Sequence, residues 1–152
     1  MPARFARITR RMVRAMSNVY DFSKHKSALQ KRTGFTADQN ERAWADLGIL
    51  LEGMQKNPSA PFPVTAAADE ALHLLLEDDA AISDLTVSLF GDGATIIHDP
   101  TAYGTPAFAS AWANTRGAFA AHGVDLPADY RDADKSDPRS AAACWLVIHK
   151  AA

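Results

Sequence analysis

One cysteine, Cys144, stands in a chain of 152 residues. That excludes an internal disulfide and any zinc site built on a cysteine cluster. A chain so poor in cysteine fits a reducing compartment, and the cytoplasm is the expected location. No apolar run approaches the roughly 20 residues that a membrane-spanning helix needs, so a soluble protein without a transmembrane segment is expected. The apolar core of a secretory signal is also missing. Motifs that would name a chemistry are absent too: no P-loop, dinucleotide fingerprint, GxSxG, HExxH or CxxC occurs. "GDG" at 91–93 is too short for a calcium loop or a phosphate cradle.

Against these absences, the hydrophobic fraction of 47% and the charged fraction of 22% are ordinary for one globular domain. The net charge of −2 hides an asymmetry. Residues 1–32 carry nine of the sixteen Lys and Arg and one acid, Asp21, so they hold about +8 against −10 in residues 33–152. The chain therefore divides into a basic N-terminal segment, 1–32, and a body, 33–152. Within the segment Phe5, Ile8, Met12 and Met16 recur at helical spacing among Arg4, Arg7, Arg10, Arg11 and Arg14. This predicts a basic amphipathic helix suited to nucleic acid, an anionic membrane surface or the acidic body of its own chain. Met16 opens "MSNVYDF", which also reads as a natural start.

Helix signals dominate the body. Thr36 and Gln39 are spaced as a capping box, and Ala43, Trp44, Leu47, Leu50, Leu51 and Met54 follow as an apolar stripe. Asn57-Pro58 should stop that helix near Lys56, leaving Pro61 and Pro63 in a linker. Thr65 is placed to cap a helix carrying Ala68, Leu72, Leu75 and Leu76, with a break or bend at Asp78-Asp79. Ile82, Leu85 and Leu89 continue the stripe to Gly91, which suits a left-handed position. "DGATIIHDP" reads as a turn with a short extended run at 95–97. Thr105, Pro106 and Gly123 bracket a helix with Phe108, Trp112, Thr115, Phe119 and His122 on one face. "AAACWLVIH" fits either a buried helix turn or a short strand, since an apolar run of that length lacks a deciding period. The expected fold is a single all-α domain of about five helices.

Histidines and carboxylates supply the candidate chemistry. His73 has Asp69 and Glu77 one turn away on its helix, and such a carboxylate can fix an imidazole tautomer. His98 lies in "IIHDP", and an antiparallel hairpin could bring it to His73. Two imidazoles and Asp69 would then provide three ligands for a divalent metal such as zinc, with water in the open position. His122 reads as a helix C-terminal cap. Glu77, Asp78 and Asp79 read as a solvated bend. Cys144 and His149 are five apart, and nothing recognisable orients them as a nucleophile pair.

These residues carry a likeness. Residues from about 47 to 133 resemble the bacterial domain related to glycine-rich domain-containing proteins. That family's pattern runs V-D-x-x-W-H-x-H, a helix ending in F-G, then H-x-P and a second aromatic helix with a proline-rich exit. Here "ADEALHLLL" matches at Asp69 and His73, with Leu72 in place of the tryptophan and Leu75 in place of the second histidine. "LFG" at 89–91 and "HDP" at 98–100 follow in order, and "AWANTRGAFAAHGVDLPADY" resembles the second helix and its exit. The resemblance implies a compact helical domain in which Asp69, His73, His98 and Pro100 are family positions, and it implies no particular reaction.

Three functional expectations follow. The first is a non-enzymatic interaction or adaptor domain with a protein partner. The alternative is a metal-binding domain using His73, His98 and Asp69, with catalysis left open. The third is nucleic-acid or anionic-membrane binding through the arginines of residues 1–32.

Overall fold

A computed structural model of the chain describes residues 23–151. The amphipathic helix expected over the first 22 residues lies outside them. Five helices and three strands follow in order: α1 Ser23–Thr33, α2 Ala37–Lys56, β1 Phe62–Thr65, α3 Ala66–Leu76, α4 Asp79–Phe90, β2 Ala94–Asp99, α5 Pro106–Ala120 and β3 Ala141–Lys150. No helix among the described residues is long and apolar enough to cross a membrane.

Local chemistry accounts for most helix ends. The Thr36 hydroxyl accepts from the Gln39 amide at 3.2 Å, and the Gln39 side chain accepts from the Thr36 amide at 2.9 Å. Two of the four unpaired amides at the start of α2 are satisfied by that exchange. Asp78 caps α4 by accepting from the Ala81 amide, and Thr105 caps α5 ahead of Pro106. Thr65 stands at the cap of α3, yet its side chain makes no capping bond. Instead the first two amides of α3 donate to the carbonyls of Ser140 and Pro138, the residues leading into β3. Gly91 ends α4 at a φ of 95°, a conformation that favours glycine.

The expectation of an all-α fold is wrong. The three strands form one antiparallel sheet in the order β1-β3-β2, and the domain is mixed α/β. The residues that misled are those of β3. Trp145 and Val147 are partly buried on one of its faces and Cys144 and Leu146 buried on the other, so apolar residues stand on both and the sequence reads as an unbroken apolar run. Pro63, read as part of a linker, lies in edge strand β1, where a missing backbone donor is tolerated. A register irregularity between Pro63 and Thr65 turns the chain from β1 into α3.

The core forms where α2 meets α3 and α5. Trp44, Leu47, Leu50 and Met54 of α2, Leu72 and Leu75 of α3, and Phe108, Trp112 and Phe119 of α5 are all buried, with Val64 and Leu146 from the sheet. Each such side chain contributes on the order of 1.5–3 kcal/mol on leaving water. Leu29 of α1 joins the same core. Polar ties fix α5 against β1: Thr115 donates to the Pro63 carbonyl at 2.6 Å and Asn114 to the Pro61 carbonyl at 2.9 Å. The Trp112 indole donates to the Pro127 carbonyl at 2.8 Å, anchoring the loop that leads to β3. The first two amides of α3, bonded to Ser140 and Pro138, set that helix beside β3.

Candidate metal centre

Strand pairing and one helix turn bring three side chains to a single carboxylate oxygen of Asp69. His98 on β2 is paired with Leu146 on β3. Opposed residues point to the same face and alternate along a strand, so His98 and Cys144 share that face. Asp69 reaches the face from the first turn of α3. Cys144 Sγ donates to Asp69 Oδ1 at 3.3 Å, and His98 Nε2 lies 3.3 Å from the same oxygen. His73 Nε2, one turn further along α3, is also 3.3 Å from it. The two imidazoles meet edge to face with centroids 5.1 Å apart.

These separations suit metal ligands. Charge-assisted and ordinary N–H···O bonds run to about 2.7–3.2 Å, so 3.3 Å is long for a hydrogen bond. A tetrahedral ion with bonds of about 2.0–2.3 Å holds its donor atoms roughly 3.3–3.6 Å apart. Donor atoms of Asp69, His98 and Cys144 all lie within 4.8 Å of one another, while His73 stands outside that group of three and adjoins it through Asp69 Oδ1 and the His98 ring. The set is graded in exposure: Cys144 is 2% exposed, the Asp69 and His98 side chains 19% and 23%, and the His73 side chain 46%. Burial pushes the Cys144 thiol well above its ordinary range, and the adjacent Asp69 carboxylate adds to the effect. Without a cation the thiol therefore stays protonated, and a metal would bind by displacing that proton.

The expected partners His73, His98 and Asp69 thus come together, although a helix packed on a strand joins them rather than a helical hairpin. His98 sits on β2, not in a loop. Sequence reasoning missed Cys144 as a member, because it is 75 residues from Asp69 and its strand was undecided. Nothing in the apolar run itself could have found it: only the folded strand shows Cys144 and Leu146 buried on one face with Trp145 between them less so.

Other candidates lie apart. His149 is exposed, and five positions separate it from Cys144, an odd number that puts the two on opposite faces of β3. His122 is buried and paired with Glu52 of α2, so it joins two elements rather than capping a free helix end. His25 pairs with Asp78 at 3.2 Å, and Arg32 donates to Glu77 at 2.7 Å and holds that carboxyl below the usual range. Glu77 and Asp78 thereby tie α1 to the junction of α3 and α4. Among the described residues, a cleft of about 410 Å³ lies between Arg42, Glu70 and Pro138, and one of about 610 Å³ between Arg42, Leu126 and Arg139, both apart from these donors. A coordinated ion needs no cleft of that size. No family model, curated protein or solved structure matches the chain.

Proposed function

We propose that the domain binds a divalent transition metal of the zinc class through Asp69, His98 and Cys144, with His73 at the fourth corner. The observation that carries this reading is the convergence of three donor atoms on Asp69 Oδ1, each at 3.3 Å. One carboxylate, two imidazoles and one thiol form a mixed set suited to zinc and its neighbours, and poorly suited to calcium or magnesium. A Cys–His nucleophile is disfavoured by the same geometry. The thiol faces a carboxylate, which holds it protonated, whereas a nucleophile needs a depressed value.

The adaptor reading rests on an exposed apolar patch. Among the described residues the large apolar side chains that are exposed are Val87, Ile97 and Tyr103, too few for such a patch. The basic-arm reading rests on arginines outside the described residues. The likeness to the glycine-rich domain-containing family enters the proposal through Asp69, His73 and His98 alone. A cytoplasmic location belongs to the same proposal, because a reducing compartment keeps the Cys144 thiol available as a ligand.

Elemental analysis of the chain purified without chelator tests the proposal. Roughly one equivalent of zinc is expected, and Asp69→Ala and Cys144→Ala should each reduce it to background. Retention of metal in both variants would place it elsewhere, and no uptake by the unaltered chain, even with zinc added, would end the proposal.

A further inference from the structure

Resting on that metal reading, we infer that the fourth corner is exchangeable: His73 is a displaceable ligand whose place a water molecule or a small monodentate nitrogen or oxygen donor takes. Metal sites divide into closed ones with four protein ligands and open ones with three plus an exchangeable position. The difference lies in how firmly each ligand is held.

Three of the ligands are held by the fold. Cys144 is buried in the central strand, with β1 on one side and β2 on the other. His98 is fixed by the ladder between β2 and β3, which runs unbroken from Ala94–Lys150 to Asp99–Trp145. Asp69 lies in the first turn of α3 with Ala68, Ala71 and Leu72 buried around it. Moving any of the three means moving a strand or a packed helix.

His73 is held by much less. It lies in the last turn of α3, its side chain is 46% exposed, and among the described residues its polar contacts are with Asp69 and the edge of the His98 ring. Rotation about its side-chain bonds carries the imidazole into water without disturbing the core. When it leaves, one metal–nitrogen bond breaks and one bond to the incoming donor forms, with no change of oxidation state. The free imidazole stays within reach, acting as a tethered competitor for the vacated corner. The flanking carboxylates Glu70 and Glu77 are exposed, and Glu77 is already paired with Arg32. The site thus presents its metal to small ligands from the solvent side of α3.

Cobalt(II) in place of zinc reads this directly, because a thiolate ligand gives a charge-transfer band and the ligand-field bands report coordination. The full chain and its His73→Ala, His73→Gln and His98→Ala variants would be loaded with cobalt and titrated with imidazole. Both His73 variants should keep one equivalent of cobalt and the thiolate band. Their ligand-field bands should shift at imidazole concentrations at least about tenfold below those needed by the unaltered chain, in which the tethered side chain competes. His98→Ala should lose cobalt. Loss of cobalt from both His73 variants, to the level of His98→Ala, would make His73 a fixed ligand and overturn the inference. So would variants that keep cobalt but whose bands ignore imidazole. A failure of the metal reading itself looks different: the unaltered chain would then show no thiolate band at all.

Discussion

The thiol of Cys144 donates to Asp69 Oδ1 at 3.3 Å, joining the central strand to the first turn of α3 across 75 residues of sequence. This contact explains why a buried cysteine sits beside a carboxylate, an arrangement that suppresses the thiolate. It also sets the reactivity of the residue.

Without metal, alkylation of Cys144 should be slow and should go on accelerating with pH after an ordinary thiol has levelled off. An ordinary thiol ionises near pH 8.5, so its rate climbs to about that pH and then approaches a plateau. Cys144 has its ionisation pushed above that range by burial and by Asp69, so its thiolate fraction is small and keeps growing with pH. Iodoacetamide kinetics on the chelated, folded chain should therefore be slower than in guanidinium at every pH, with no plateau by about pH 9.5, where the unfolded chain has levelled. A folded chain that reacts as fast as the unfolded one, or levels off at the same pH, would show that the thiol is neither shielded nor suppressed.

Asp46 offers a stability test with a defined sign. Its side chain is 1% exposed, and burial raises its ionisation despite the Arg139 guanidinium at 3.2 Å. Between the unfolded value near pH 3.9 and the higher folded value, the folded chain holds a proton that the unfolded chain releases. Asp46 thus favours the fold less and less as the pH rises through that window, and its effect is constant above it. Denaturant unfolding of the chain and of Asp46→Asn should give a stability difference that moves in favour of the asparagine variant as pH rises. The opposite trend would mean that the Arg139 pairing outweighs burial.

Gly53 marks the close approach of α2 to α5. A Cβ there would lie 2.8 Å from Ala118 Cβ and 3.0 Å from the Phe62 ring. Alanine would gain about 1 kcal/mol in helix propensity. The clash is with an atom attached directly to the neighbouring helix, so overpacking of about 1–3 kcal/mol should win. Gly53→Ala is expected to lower the melting temperature, and a rise would show that the two helices can part freely.

The extent to which the sequence speaks for this fold follows from the range of each signal. The α2 capping box at Thr36 and Gln39, the Pro106 start of α5 and the glycine stop at Gly91 are local events, set by backbone donors within a few residues of each other. Their helices are legible in the chain for that reason. The apolar face of α5, from Phe108 to Phe119, is legible because its period is that of the helix itself.

The sheet is a different matter. Whether "AAACWLVIH" becomes a helix or a strand depends on partners at 62–65 and 94–99, and no pattern within the run encodes them. Pairing of β3 with both segments decides the fold class, and the same pairing puts Cys144 on the face shared with His98. By itself the sequence determined that His73 and Asp69 share a helix face, because helical geometry relates residues four apart. Only the tertiary structure decided that His98 and Cys144 complete the group, since strand register, unlike helix period, is set between segments distant in the chain.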